Sequence, residues 1–172
     1  MSTIVSLQHD GCIWMGTGTV VHNELNIVSN NELIFMNEEF LIGVSNSDEY
    51  SQYIQHCFSI PSHSSKLSVM QYFVSCFIKE LKNSGITPTQ SIVIGYRGII
   101  FVITENFDIV VPKNNYVAIG KGSSVALGAF QVLRDIKDQA PIEKITRVLQ
   151  ATSEHCESLS TPYVIMGQQK HA

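Results

Sequence analysis

The sequence predicts an α+β protein in which two antiparallel sheets stack face to face and carry a pair of helices on each outer face. Short β-branched and aromatic runs alternate with turn residues over the first 45 residues. Helical periodicity then occurs in two consecutive pairs, so these helices are not the crossovers that parallel strands need. Four layers in the order α-β-β-α would bury every apolar face in the pattern. Because no linker divides the chain, we expect one domain over residues 1–166 and a tail over residues 167–172.

Six strands are expected before the first helix. Asp10-Gly11 is a strong hairpin turn between the first two strands. Ser47-Asp48-Glu49 then begins a helix toward Cys57, since it offers a capping side chain and acidic groups at the positive helix end. The expected strands are Thr3–Leu7, Cys12–Met15, Thr19–His22, Leu25–Val28, Glu32–Met36 and Phe40–Val44.

A second helix is predicted by apolar residues spaced three and four apart. Gly85, after the basic Lys82, suits the C-terminal end of that helix. Ser91–Tyr96 and Ile99–Thr104 should then form a hairpin around Arg97-Gly98. The apolar face comprises Leu67, Met70, Phe73, Val74, Phe77, Ile78 and Leu81.

The segment Asn106–Phe130 contains two strands, a glycine loop and a helix start. Its strands are expected at residues 109–111 and 116–119, joined by a tight polar turn. Gly120-Lys121-Gly122 follows, and Ser123 or Ser124 is predicted to cap a helix that begins near Val125. A strand that runs through glycines into a helix often builds a functional site. A fourth helix from Pro141 to about residue 158 and a last strand at residues 163–166 complete the chain.

Composition excludes several classes of protein. Apolar residues make up 44% of the 172 residues and charged residues 15%, which excludes extensive disorder. No apolar run is long enough for a membrane span, and the N-terminus lacks the pattern of a secretory signal. The four cysteines and six histidines show no metal-ligand or disulfide spacing, so we expect no metal, no cofactor and a reducing, cytoplasmic location. No basic stripe suggests nucleic-acid binding.

Charge is distributed unevenly along the chain. No lysine or arginine precedes Lys66, whereas seven acidic residues do. The remainder carries eleven basic and eight acidic residues. This asymmetry either helps subunits to meet face to face or disappears once the chain folds.

The N-terminal sequence STIVSLQHDGCIWMG resembles the first hairpin of proteasome β-type subunits, and most closely that of the HslV family. The segment Asn106–Phe130, with its Ala-Ile-Gly-Lys-Gly loop, resembles a later part of the same pattern. The resemblance implies the N-terminal-nucleophile (Ntn) hydrolase fold, a four-layer sandwich. It also implies a threonine-type peptidase activity, assembly of identical subunits into rings or stacked rings, and in some cases an ATP-dependent unfoldase as partner.

The resemblance places the nucleophile at Ser2, whose own free amine would act as the base once Met1 is removed. The other interpretation of Ser2 is an ordinary strand serine. The family also needs a lysine beneath the nucleophile, and its position falls near Asn31, where no cation is available. The family's acid in the second hairpin is missing as well, because residues 15–19 read Met-Gly-Thr-Gly-Thr.

Three further site positions follow from the resemblance. Lys121 stands where the family has a serine, so we hypothesise that it brings a cation to Ser2; the alternatives are a solvated lysine or an anion-binding loop. Glu157 and Ser160 have the spacing of the family's supporting acid and serine, with Glu154 as the alternative acid. A backbone N–H within residues 44–47 would stabilise the oxyanion.

Two functions from different classes therefore remain open. One is an Ntn-type endopeptidase that uses Ser2 on a peptide substrate. The other is a catalytically inactive proteasome-like subunit that serves in assembly, capping or binding.

Overall fold

The computed structural model describes residues 1–19, 21–22, 27–28, 32–157 and 159–168. Within them, strands form one four-stranded, one five-stranded and one two-stranded sheet, all antiparallel. The strands are β1 Thr3–His9, β2 Cys12–Thr19, β3 Val21–His22, β4 Ile27–Val28, β5 Ile34–Asn37, β6 Phe40–Val44, β7 Ile92–Tyr96, β8 Ile99–Ile103, β9 Ile109–Val110, β10 Tyr116–Gly120 and β11 Ser160–Gln168.

The predicted four-layer arrangement is confirmed. The four-stranded sheet has the order β10-β1-β2-β11, and the five-stranded sheet has the order β5-β6-β7-β8-β9. Of the two outer layers, one consists of α4 and α5 and the other of the first three helices. In this second layer a π-helical turn, Phe73–Phe77, joins α2 to α3. The helices are α1 Glu49–His56, α2 Val69–Tyr72, α3 Ile78–Asn83, α4 Ser123–Leu133 and α5 Pro141–His155.

The two sheets approach closely where glycines leave room. A Cβ on Gly95 would lie 2.7 Å from Ile13 Cγ2, and one on Gly43 would lie 2.8 Å from Ile4 Cγ2. The opposite face of β1 carries Val5, which is buried with the α4 and α5 side chains. Because β1 is covered on both faces, its neighbouring residues Ile4 and Val5 are both fully buried, without the alternation of a strand that has one exposed face.

Two details of the segment Asn106–Phe130 differ from the prediction. Its two strands do not form a hairpin, because β9 pairs with β8 in one sheet and β10 pairs with β1 in the other. The chain therefore crosses from sheet to sheet at the predicted turn. Neither Ser123 nor Ser124 caps α4; Gly122 holds the N-cap position without a side-chain cap. The backbone amide of Gly122 instead donates to Thr3 Oγ1 at 2.8 Å, and this hydrogen bond connects the start of α4 to β1.

The last strand is longer than the predicted residues 163–166. β11 continues to Gln168, two residues into the segment expected as a tail, and residues 169–172 lie outside the described part of the chain. Parts of the predicted Thr19–His22 and Leu25–Val28 strands also lie outside it, although β3 and β4 pair with each other. None of the described helices is both long and apolar enough to cross a membrane.

Candidate active site

The predicted site residues gather at one end of the four-stranded sheet. Ser2 directly precedes β1, and the neighbouring Thr3 pairs with Gly120 at the end of β10. On the other side, Ser160 at the start of β11 pairs with Thr19 at the end of β2. Strand register therefore brings together three segments that are up to 158 residues apart in sequence.

The Ser2 hydroxyl is buried and its hydrogen-bond partner is neutral. Ser2 is 2% exposed, and its Oγ lies 3.3 Å from Thr17 Oγ1. Thr17 Oγ1 donates to the Thr3 carbonyl at 2.9 Å. Thr17 Oγ1 also lies 3.4 Å from the Gly18 carbonyl, and either hydroxyl of the Ser2–Thr17 pair can be the donor. The partner of the Ser2 hydroxyl is thus an alcohol, which is a poor proton acceptor in catalysis.

The Ser2 nitrogen has a different partner, the backbone of another sheet. It donates to the Ser45 carbonyl over 2.6 Å, just beyond the end of β6. With Met1 attached this nitrogen belongs to an amide and has no basic lone pair. Met1 itself is 62% exposed and is therefore accessible to removal. Only its removal would give the amine that Ntn chemistry uses as a base.

Backbone contacts hold the glycine loop against the start of β1. Gly120 has φ of 92°, and a Cβ there would lie 1.9 Å from the Ser2 carbonyl oxygen. A Cβ on Gly122 would lie 2.5 Å from Thr152 Cγ2 and 2.6 Å from Thr3 Oγ1. Both glycines are thus required by close approach, and at Gly120 also by a left-handed backbone.

Lys121, between these glycines, is exposed. No hydrogen bond or ion pair between described residues joins its side chain to Ser2. The role of Lys121 as a compensating cation stays a prediction.

The structure places Ser160 in the sheet and the two candidate acids at the surface. Ser160 Oγ donates to the Thr19 carbonyl at 3.1 Å, so it belongs to the β2–β11 edge of the site. Glu157 and Glu154 are both exposed, and neither hydrogen-bonds to Ser2 within the described residues. Asn31, which marks the position of the family's lysine, lies outside the described residues.

The loop that follows β6 already uses most of the amides proposed as oxyanion donors. Val44 N–H donates to the Leu33 carbonyl at 2.8 Å. The N–H groups of Ser45 and Asn46 both donate to Gln90 Oε1, at 2.7 and 2.8 Å. The amides of Val44, Ser45 and Asn46 are therefore directed at acceptors of the protein itself.

Asp48 completes this hydrogen-bond network. Burial disfavours its ionised form, but hydrogen bonds from Thr89, Ser51 and Gln90 outweigh that effect, so the pKa of the Asp48 carboxyl is lowered. Asp48 also caps α1 by accepting from Ser51 N–H at 2.9 Å. The ionised carboxylate thus fixes both the loop and the start of the first helix.

A cavity of about 260 Å³ opens beside Ser2 between the ends of β6 and β10. Met1 and Glu105 lie on its wall, and Glu105 is the only charged side chain among the described residues that line it. No group of three or more histidine, cysteine or acidic side chains in the described chain could hold a metal ion.

Sequence reasoning missed the two side chains that define the site most closely. Thr17 was named only as part of the stretch at residues 15–19 that lacks the family's acid, although its hydroxyl hydrogen-bonds to that of Ser2. Gln90 gave no local signal, because its partners Ser45 and Asn46 are more than 40 residues away in sequence. Contacts of that range follow from strand pairing, which a single sequence does not reveal residue by residue.

Comparison with known proteins shows the fold. The structure of BPH from Thiobacillus denitrificans in complex with epoxomicin aligns with a TM-score of 0.76 and 16% identity, over 99% of this chain and 100% of that chain. Eukaryotic HslV from Trypanosoma brucei gives 0.72 and 15%, over 96% and 98%. Anbu (ancestral beta-subunit) from Yersinia bercovieri gives 0.64 and 9%, over 96% and 80%. No protein-family profile and no curated protein sequence matches the chain.

Proposed function

We propose that this chain, which has the HslV-like fold of the Ntn hydrolases, is a proteasome-like subunit that assembles with copies of itself and does not hydrolyse peptides at Ser2. The observation that carries this proposal is the hydrogen bond between the Ser2 and Thr17 hydroxyls. It gives the would-be nucleophile a neutral partner, where the resemblance leads us to expect a carboxylate.

Activation of a serine hydroxyl needs a base and a nearby charge that stabilises the ionised form. The described contacts of Ser2 include two neutral partners, Thr17 Oγ1 and the Ser45 carbonyl. No lysine or arginine occurs before Lys66, so the first hairpins contain no cation whatever their register. Both observations favour a site that keeps the backbone geometry around Ser2 without the charged side chains that would activate its hydroxyl.

Hydrolysis by the purified chain tests the inactive half of the proposal. An intact-mass measurement first establishes whether Met1 is present. A panel of fluorogenic peptides is then compared between the wild-type chain and Ser2→Ala, and we expect equal background rates. Peptide turnover that Ser2→Ala abolishes would overturn the claim that Ser2 does not hydrolyse peptides. It would not bear on the claim that the chain assembles with copies of itself.

Exposed apolar side chains on both outer layers support self-assembly. Val132 on α4 is 74% exposed, and Val74 in the π-helical turn is 59% exposed. Met70 lies near Val74, while Leu127 belongs to the same helix as Val132. Apolar side chains that cluster on helix faces are typical of subunit interfaces, although single ones are normal. Like the proposed cytoplasmic location, assembly is an expectation that extends the resemblance.

Native mass spectrometry tests the assembly. Val74→Asp and Val132→Asp place a charge on each helical face, with Val110→Asp on the exposed strand β9 as the matched control. We expect an oligomer of identical subunits that at least one helical variant breaks and the control leaves intact. A wild-type chain that remains monomeric at tens of micromolar would refute the proposal.

One observation favours a second candidate function, a Ser2-dependent endopeptidase. Ser2 lies at the start of β1 beside the loop that carries Lys121, so a cation could approach the site from that side. In that case Lys121→Met would reduce peptide turnover, whereas Lys113→Met in the preceding loop would not. An ATP-dependent unfoldase is expected as partner only for this active form.

A further inference from the structure

We infer that Gln90 is a positioning residue for residue 2: it orients the Ser45–Asn46 peptide so that its carbonyl, rather than its amide, faces Ser2. The inference rests on the proposed function and adds the residue that fixes the backbone partner of Ser2 in its site. It does not require that Ser2 be reactive.

Hydrogen bonds occupy both ends of the Gln90 side chain, which is 1% exposed. Its Oε1 accepts from three donors: Ser45 N–H at 2.7 Å, Asn46 N–H at 2.8 Å and Ser45 Oγ at 3.1 Å. Its Nε2 donates to the Asn46 carbonyl at 2.8 Å and to Asp48 Oδ2 at 3.1 Å. A buried amide with this many partners has one stable orientation, because rotation would leave several polar groups unpaired.

The position of Gln90 explains why a side chain is needed here. The ladder between β6 and β7 ends at the pair Val44–Ile92. Gln90 lies two residues before Ile92, and the loop that it binds follows directly after Val44. Its carboxamide therefore continues the ladder past the last backbone pair and supplies the hydrogen bonds that a strand would otherwise make.

Peptide geometry then couples Gln90 to Ser2. In a trans peptide the C=O and the N–H point in opposite directions. The Asn46 N–H points at Gln90, so the Ser45 carbonyl of the same peptide must point away from Gln90. It meets the Ser2 nitrogen at 2.6 Å. Without Gln90 the peptide plane could rotate, and residue 2 would lose its acceptor.

Solution NMR of the full chain tests this coupling. Gln90→Met keeps the length and removes every hydrogen bond of the carboxamide. We expect amide exchange at Ser45 and Asn46 to accelerate roughly tenfold or more relative to wild type. The Ser45 carbonyl ¹³C resonance should also move upfield as its hydrogen bond weakens. That resonance reports on the bond to residue 2 whether or not Met1 is removed.

A second buried glutamine provides the matched control. Gln139 is 8% exposed, and its Oε1 has no hydrogen-bond partner among the residues that the structure describes. Gln139→Met makes the same chemical change and should leave the Ser45 resonance and the exchange rates at Ser45 and Asn46 unchanged. If Gln90→Met does not fold, Gln90→Asn, which is one methylene too short to reach the loop, replaces it with the same expected result.

Two outcomes would overturn the inference. An unchanged Ser45 carbonyl resonance, with faster exchange at Ser45 and Asn46, would show that Gln90 binds the loop without setting the carbonyl. Equal acceleration at amides of β1 and β7 would show a general loss of stability. Peptide turnover, or its absence, bears on the proposed function alone, so the two failures are distinguishable.

Discussion

The nitrogen and the hydroxyl of Ser2 lie in surroundings of opposite character. The nitrogen meets a carbonyl that a buried glutamine and an ionised aspartate hold in place. The hydroxyl meets Thr17 at a longer distance, and no charged side chain of the described residues hydrogen-bonds to it. One side of the residue is fixed by a closed hydrogen-bond network, and on the other side the described partner is neutral.

This difference shows that placing a nucleophile and activating it are separate tasks. Placement here depends on backbone and neutral groups: strand register, two glycines and one carboxamide. Activation depends on charged side chains at a few positions, and each of these can be lost without disturbing the fold. A chain with the architecture of a peptidase therefore need not be one.

The largest effect on stability is expected from a substitution at Gly120, where the glycine loop contacts the backbone of Ser2. Gly120→Ala puts a Cβ against the Ser2 carbonyl at a φ of 92°. We expect a loss of more than about 3 kcal/mol in the free energy of unfolding, measured in urea. Gly128→Ala is the control, since a Cβ there meets no atom within 4 Å. It should stabilise α4 by about 0.5–1 kcal/mol. Equal effects of the two substitutions would contradict the close approach.

A smaller effect on stability is expected from substitutions of Thr17, the partner of the Ser2 hydroxyl. Thr17→Val removes the hydroxyl that hydrogen-bonds to the buried Ser2 hydroxyl and donates to the Thr3 carbonyl. The expected cost is about 1–3 kcal/mol by chemical denaturation. Thr17→Ser keeps the hydroxyl and should cost about 1 kcal/mol or less. If valine is tolerated as well as serine, the hydrogen bonds of the Thr17 hydroxyl do not stabilise the folded chain.

The smallest effect is expected from the charge of Asp48, which belongs to the hydrogen-bond network that holds the acceptor of the Ser2 nitrogen. The pKa of Asp48 is lowered in the folded state from its ordinary value of 3.8. Its contribution to stability is therefore complete above about pH 4 and is lost as the pH falls through the lower folded pKa. Asp48→Asn should cost under about 1 kcal/mol at pH 7, since the carboxylate is partly exposed.

Thermal unfolding of the wild-type chain and Asp48→Asn from pH 2 to pH 7 measures this effect. The two melting temperatures should converge toward the acid end. A difference that is independent of pH would show that ionisation of Asp48 does not stabilise the loop.

Much of the fold followed from the sequence, because periodicity and turn residues are local. Asp10-Gly11 and Arg97-Gly98 make the predicted hairpin turns, and all four residues have positive φ. Gly85, with φ of 74°, follows the second helical stretch as expected. The pairing of β9 and β10 with different sheets was missed, because a polar turn looks the same whether it joins neighbours or crosses between layers.

The site was predictable only in part. A resemblance at the N-terminus identified Ser2, and the resemblance of the glycine loop brought in Gly120-Lys121-Gly122. Register then brought these segments together. The partners of Ser2 were not predictable in the same way. Whether Thr17 faces Ser2, and whether Gln90 reaches Ser45, depends on side-chain direction and on long-range pairing.

Covalent labelling of Ser2 tests the central claim most directly. The chain is prepared with Ser2 as its first residue, by removing Met1 through a cleavable N-terminal fusion, and is incubated with a peptide-like β-lactone. Intact mass then reports any acyl adduct, with Ser2→Ala as the control. We predict no adduct on Ser2 beyond the level of the control, because the described hydrogen-bond partner of its hydroxyl is neutral. Stoichiometric acylation that maps to Ser2 and is absent from Ser2→Ala would contradict the account.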